Sequence, residues 1–530
     1  MRDMKGRKRW VTGGLTVLVL ALIGALVTAC APSGNGGNGG NGYEPPPRPW
    51  VVRYGYQGGA MSGYLGVDPG TGASIVASQS GESLIRFDWR THEPILYLAA
   101  SQENNREEMY TDYWLREGIP FHNGDIMTAE DVKFSFDRMK DADIVGPATP
   151  VSWNMFLDKV EVIGDYQVRV YWRNMGSPVR TVSPFQPVIV PKNYIEEVGW
   201  EDWADEPVLT GPMKVVDWER DLYVHFEKAF PEEGHWYWGD LPNYDELIMQ
   251  AVPEPAIRLA MLKTGELDIA YIDQPNIPDV IADPNLTLVM AEYVYPWSIV
   301  FCDYDDPDSP LSDPLVRKAV SLAIDRAGIA ENVLNGAAEP WASYYSPYML
   351  GYEYREPDPY DPEEARRLLE EAGYPDGIDT YFNYPASEAF VAQAIIASLT
   401  DVGIRAESKQ YELMTWIDRY GNGQLNGISF SLHPDWTPYY PEECLYNSEF
   451  GWGGAPVNGP LPEVKEAFDE LLDCETEEEM VAAAQAAEEL VLDELGYRLI
   501  VFAIHWAFAY GPTIEDWEPG LPLFTATYKE

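Results

Sequence analysis

"LREGIPFHNGDIMTAEDVKFSFDRM", residues 115–139, gathers a histidine, several carboxylates, a lysine and two arginines into one short stretch. It resembles an active site in composition and a scaffold in layout. Gly118 and Asn123-Gly124 are turn signals, and Thr128-Ala129-Glu130-Asp131 opens a helix in the manner of a capping box with Asp131 at N3. Val132, Phe136 and Met139 follow at helical spacing and predict the buried face. Glu130 complements the helix N-terminus, whereas Lys133, Asp137, Arg138 and Lys140 fall on the solvated face. His122 beside a turn reads as a hydrogen-bonding residue rather than a catalyst. Every polar residue here has a structural role at hand.

The same grammar runs outward along the chain. "DPLVRKAVSLAIDR" from Asp313 offers an N-cap, proline at the first helical position, and apolar Val316, Val320, Ala323 and Ile324. "DPEEARRLLEEAGY" from Asp361 repeats the device, with Leu368 and Leu369 on one face and Gly373 as the stop. Helix "FVAQAIIASLTDVG", strand "IRAESKQY", helix "LMTWIDRYGNG" and strand "GISFSL" alternate as in an α/β domain, and helix "AIRLAMLKTG" runs into strand "LDIAYI". At 530 residues, 46% of them apolar, the chain is too long for one core and predicts two or three domains.

The front end reads differently. Arg2, Lys5, Arg7, Lys8 and Arg9 form a basic segment, Val11 to Val27 is an uncharged apolar run, and Val27-Thr28-Ala29-Cys30 closes it. These four residues resemble a bacterial lipobox, which implies lipidation of Cys30; the alternative is an uncleaved span over Trp10 to Ala29. Either reading puts the body of the chain outside the cytoplasm. Residues 30–48 follow as a Gly/Asn and Pro linker, in which a G-x-G-x-x-G match has no flanking strand or helix and so carries no nucleotide-binding meaning.

A net charge of −50, which grows more negative when the basic signal is removed, repels phosphate backbones and anionic lipid. Nucleic-acid binding is excluded on that ground. A saline habitat, where screening removes self-repulsion, is one reading of the excess, and a plain solvated surface is the other.

The opening segment is similar to the signature of the family 5 extracytoplasmic solute-binding proteins of ABC transporters, through its R-x-G-x-x-F-H-x-G core and following T-A-x-D-V. "TGPMKVVDWERD", "RLAMLKTGELDIAYI", "SDPLVRKAVSLAIDR" and "NVLNGAAEPWASYYSP" resemble further family motifs in the same order. The resemblance implies an α/β, two-lobed periplasmic-binding-protein-like fold with an extra inserted domain. Its segments are expected at 1–29 for the signal, 30–48 for the linker, 49–76, 191–290 and 495–530 for domain I, 77–190 for inserted domain II, and 291–494 for domain III, the opposing lobe. It further implies a monomer that needs no cofactor, captures a peptide or an oligosaccharide by closing, and docks on membrane permease subunits.

For the ligand, the resemblance puts Asp435, in "GISFSLHPDWTPYYP", where peptide-binding members hold the α-ammonium group, with Trp436 and Trp416 as pocket walls. Core packing is an equal reading for Trp416. His433 alone supplies too few ligands for nickel. A departure from the family's F-N-T strand end, Phe301-Cys302-Asp303, makes Cys302 and Asp303 candidates near the interlobe region. Cys302, Cys444 and Cys474 are an odd set, with a Cys444–Cys474 bridge and buried thiols both open. Against an enzyme stand the absence of G-x-S-x-G, H-E-x-x-H, C-x-x-C and Walker A motifs; with 86 acidic residues, carboxylate pairs signal nothing.

Overall fold

Strand β1 (Val51–Tyr56) pairs in parallel with two strands that come almost two hundred residues later, so the intervening chain must leave and return. The computed structural model describes residues 49–57, 79–87, 94–141, 157–173, 187–219, 222–230, 241–432, 461–474, 476–517 and 527–528, with backbone alone at 86–87, 94, 292–295, 432 and 527–528. Among these residues no helix is long and apolar enough to cross a membrane.

The excursion builds its own layer. β2 (Ile85–Phe87) and β3 (Pro94–Leu96) form a short ribbon, and β4 (Ala99–Asn105), β5 (Tyr110–Leu115), β6 (Leu157–Gly164) and β7 (Gln167–Trp172) form an antiparallel sheet ordered β4-β5-β7-β6. Helix α1 (Ala129–Arg138) packs on this sheet through Val132, Phe136 and neighbouring Met139, all buried as the spacing predicts. The Thr128 amide and hydroxyl both donate to the Asp131 carboxylate, at 2.8 and 2.9 Å. Asp131 also accepts from the Lys192 amide at 2.9 Å, which ties α1 to α2 (Lys192–Val198) and α3 (Trp200–Asp205).

His122 is scaffold. Its Nε2 lies 2.9 Å from the Gly211 carbonyl and its Nδ1 accepts from the Leu209 amide at 3.4 Å, while burial pulls its pKa down to about 4. The ring is therefore neutral at physiological pH, with the proton on Nε2. Gly211 crosses so close to Ser80 that a Cβ there would sit 2.6 Å from the Ser80 carbonyl oxygen. One expectation fails: Arg138 is buried, not solvated, its Nη2 donating to the Val188 carbonyl at 2.9 Å and its guanidinium 5.7 Å from the Trp200 ring. The cause is chain distant in sequence, because residues 188–203 fold over the face of α1 that local spacing leaves to water.

The returning chain builds the main sheet. Its strands and helices are β8 (Met213–Glu219), β9 (Tyr223–Lys228), β10 (Glu246–Ala251), α4 (Pro255–Thr264), β11 (Ile269–Ile272), α5 (Ile277–Ile281) and β12 (Thr287–Phe301). There follow α6 (Pro314–Ala323), α7 (Arg326–Asn332), β13 (Ala338–Pro340), α8 (Pro362–Glu371), β14 (Ile378–Pro385), α9 (Ala389–Asp401), β15 (Ile404–Tyr411) and α10 (Leu413–Gly421). β16 (Ile428–Leu432), α11 (Pro462–Asp473), α12 (Glu477–Glu489) and β17 (Arg498–Tyr510) complete it. Strand order is β15-β14-β16-β12-β17-β11-β1-β10-β9-β8, with β13 also on β17.

Local signals set the helices. Asp361 accepts from the Glu364 amide at 2.9 Å to start α8, and Gly373, at φ 92°, ends that turn. Asp313 likewise accepts from the Leu315 amide at 2.8 Å to start α6. The single helix expected over "DPLVRKAVSLAIDR" is interrupted: Ile324 is extended, and Asp325 caps α7 through the Gly328 amide at 2.9 Å. A good N-cap outcompetes continued periodicity.

β12 and β17 hold the halves together. At 15 and 13 residues they are two to three times an ordinary strand, and they pair from Thr287↔Tyr510 to Val300↔Arg498. The C-terminal half of β17 carries β11, β1, β10, β9 and β8 beside it; the C-terminal half of β12 carries β16, β14 and β15. Between these halves the register slips at Met290/Val294 and again at Trp297/Ser298, bending the ladder at the join. The first half has apolar layers around Val52, Phe226 and Leu247 and around Leu262 and Ile277. In the second half, α6, α8 and α9 cover one face, around Ile299 and Ile395, and α10, α11 and α12 the other, around Val300 and Phe468.

Candidate functional site

The join between the halves is where strand alternation runs out of covering helices. On β17, Phe508 lies opposite Tyr271 of β11, their rings edge to face at 5.7 Å. Two residues back on the same side of β17, Trp506 keeps 40% of its surface exposed, although its strand is otherwise among the most apolar in the chain. A large aromatic left open in mid-strand marks a surface meant to be covered by something else.

Carboxylates meet this aromatic floor from both halves. Asp273, two residues beyond Tyr271, is held by the guanidinium of Arg258 on α4. Arg258 is itself buried, donating from Nε to the Tyr271 carbonyl at 2.8 Å and from Nη1 to the carbonyls of Val252 and Pro253. Gly55 permits this, since a Cβ there would overlap the Leu267 side chain and press on Arg258. Burial pushes Asp273 above the usual carboxylate range, with Arg258 pulling the other way. From the second half comes Glu388, just before α9, whose pKa is pushed up to about 7, first by burial and then by the charge of Asp273. The two halves also touch at Asn335, whose Nδ2 donates to the Gln274 carbonyl at 2.9 Å. The arrangement suits binding: aromatic planes with acidic groups at the edge, one of them poised to hold or release a proton near neutrality.

The residues expected from sequence are distributed as follows. Trp416 is completely buried, stacked on Tyr420 at 5.3 Å, with Nε1 donating to Ser429 Oγ at 3.2 Å, so of its two readings the geometry fits core packing. Cys302 is a buried thiol against the same core, and burial drives its pKa up. Asp303 accepts from the Gly427 amide and from Ser309 Oγ, fastening the end of β12 to the start of β16. None of these three is beside Trp506. His433, Asp435, Trp436, Cys30 and Cys444 lie outside the described residues, as therefore does half of the Cys444–Cys474 pair; Cys474 is buried with its Sγ 3.3 Å from the Glu470 carbonyl. Among the described residues, no group of three or more His, Cys, Asp or Glu side chains is placed to hold a metal ion.

Residues 93–452 match the family model for bacterial extracellular solute-binding proteins, family 5, middle region. The chain belongs to that family. It is thus an extracytoplasmic binding protein and not an enzyme. It is similar to di/tripeptide-binding protein 2 of Pseudomonas aeruginosa, 28% identical over 365 residues, covering 63% of this chain and 66% of the relative. It is also similar to heme-binding protein A of Haemophilus influenzae, 26% identical over 399 residues, covering 69% and 71%. The chain spans just under two thirds of the length of the first of these relatives. Among solved structures, the periplasmic binding protein DppA of Helicobacter pylori in complex with the peptide STSA matches with a TM-score of 0.74 at 19% identity, covering 91% of this chain and 98% of that one. NikA of Brucella suis in complex with Fe(III)-EDTA matches with a TM-score of 0.77 at 19% identity, covering 90% and 100%. The fold of this family 5 protein is therefore the two-lobed α/β fold of the periplasmic binding proteins.

Sequence reasoning missed Asp273, Glu388, Arg258 and Trp506. The one usable signal was Trp506 following His505 inside "RLIVFAIHWAFAY", where a strand buried on both faces has little use for either.

Proposed function

We propose that this chain is the substrate-binding lipoprotein of an ABC importer, capturing peptides between its two lobes and presenting the closed form to a membrane permease. The observation that carries the reading is the pair β12 and β17: two long strands crossing from one lobe to the other, with register slips at the join and Trp506, Asp273 and Glu388 grouped there. Such a ladder lets one half rotate on the other, and a ligand touching both stabilises the closed state by its differential contacts. Carboxylates at the cleft suit the α-ammonium group of a peptide, and Asp435, three residues beyond β16 in sequence, is its proposed anchor, flanked by Trp436 and His433. The relatives that bind di- and tripeptides and dipeptides favour the peptide reading. The segment boundaries at 49, 77, 191, 291 and 495 are part of the same proposal, as is action as a monomer.

A thermal-shift screen tests the ligand. Di- to hexapeptides are expected to raise the melting temperature, while cello- and xylo-oligosaccharides and nickel chelates leave it unchanged. In Asp435→Ala the peptide response is expected to vanish. Stabilisation by sugars alone, unaltered in that variant, would replace the peptide with an oligosaccharide. The anchor has its own test. Two acyl chains hold a protein firmly where one does so marginally, so Cys30→Ser is expected to move the protein from the membrane to the soluble fraction. Membrane retention by the variant would instead support an uncleaved span over residues 10–29.

A further inference from the structure

Beside the hinge ladder, a second contact joins the lobes. The turn between β4 and β5, at the tip of the inserted sheet, presents Arg106, whose Nη2 donates to the backbone carbonyl of Cys474 at 3.0 Å. Cys474 is the residue that ends α11, in the opposing lobe. The inserted sheet belongs with the first half of the molecule: its chain leaves from β1, returns into β8, and is bound there by His122 to Gly211 and by the Gly211 amide to the Ser80 carbonyl at 2.8 Å. α11 and α12 belong with the second half, packed on Val300 and Trp416. The Arg106 bond therefore spans the two bodies that β12 and β17 connect.

Charge explains why an arginine stands there. The last turn of α11 contains no basic residue but does contain Glu470 and Asp473, and α12 begins with Glu477, Glu478 and Glu479. Carboxylates at a helix C-terminus add to the negative end of its dipole, so this joint lacks the cation that would normally neutralise it. Arg106 brings one from the other lobe. Its turn is braced for the purpose: Asn105 Nδ2 donates to the Tyr110 hydroxyl at 3.0 Å, the Glu108 amide donates to Asn105 Oδ1 at 3.0 Å, and Met109 is left-handed at φ 58°.

We propose that Arg106 is an interlobe latch, a positioning residue that biases the protein toward its closed form by docking on the C-terminus of α11. The inference rests on the reading that the lobes close. A charge-assisted hydrogen bond made only in the closed form shifts the closed-to-open ratio about tenfold. Placed at the tip of the inserted sheet, it breaks when the lobes part.

The test needs no ligand. Spin labels are placed at exposed Glu103 and Glu478 through ketone-bearing residues, which leaves the cysteines untouched, and distances are measured by pulsed electron resonance in the mature protein. Wild type is expected to show a dominant short distance, Arg106→Ala and Arg106→Gln a dominant longer one, and Arg106→Lys, which keeps one cationic donor, an intermediate mixture. Melting temperatures of the four proteins are expected to differ only slightly, because a variant that opens keeps the rest of its fold, whereas loss of a merely structural arginine would lower them without changing the distances. Identical distance distributions in wild type and both neutral variants, or a wild type that shows only the long distance, would overturn the latch. Since no peptide is present, either result leaves the ligand assignment to its own experiment.

Discussion

Arg258→Ala is expected to lower folding stability by about 3–5 kcal/mol, the range for removing one partner of a buried ion pair. The guanidinium is 1% exposed and serves the carbonyls of Tyr271, Val252 and Pro253 as well as the Asp273 carboxylate. Truncation leaves the three carbonyls without this donor where water is scarce and the partly exposed Asp273 without its counter-charge, and opens space beneath Gly55 and Leu267. Arg258→Lys should lose less, yet a clear part of it, because an ammonium cannot span acceptors that a planar fork reaches together. The midpoint of urea unfolding measures both. A midpoint unchanged in the alanine variant would mean that the network contributes nothing, and the support assigned to Asp273 would go with it.

The second large effect concerns pH. Glu488 on α12 is 3% exposed and accepts from the Tyr344 amide at 2.5 Å, and burial raises its pKa from an ordinary 4.5 to about 7, against the pull of that bond and of Arg355. The folded form therefore holds more protons than the unfolded chain between those two values. Its favourable contribution is complete below about pH 4.5 and is lost as the pH rises through 7. Glu488→Gln keeps the acceptor for Tyr344 and cannot ionise. The variant should match wild type near pH 4.5 and exceed it at pH 8 by an amount on the order of 3 kcal/mol. Melting curves across that range would show the two lines diverging upward in pH; parallel lines would count against a charged, buried Glu488. His122 works in the opposite sense, since its depressed pKa costs stability as the pH falls below its ordinary 6.5, so the comparison must be made between variant and wild type at each pH.

How far these features could be read in advance depends on how local their causes are. Asp131 accepts from the Thr128 amide three residues behind it, Asp313 and Asp361 accept from amides two or three residues ahead, and Gly373 needs only its own φ, so helix starts and stops were visible as text. Asp325 was visible too but was outvoted by the apolar spacing that carries on to Ile324. Arg138 was misassigned because what covers it arrives from residues 188–203, beyond any window of helical periodicity. The cleft residues belong wholly to this second class. Asp273, Glu388 and Trp506 come from a strand end, a helix approach and the middle of an apolar strand, and they share a surface only because β11 pairs with β17 and β14 feeds α9. Charge spacing said nothing about them, since in so acidic a chain no single carboxylate stands out.

The central claim, peptide capture by closure of two lobes on the β12 and β17 ladder, is tested most directly by one titration. The mature protein is mixed with increasing amounts of the peptide that stabilises it most, and its radius of gyration is followed by small-angle X-ray scattering alongside the heat of binding. The account predicts saturable one-to-one binding accompanied by a contraction that saturates at the same ratio. Saturable binding with an unchanged radius of gyration, or no saturable binding by any peptide, would contradict it.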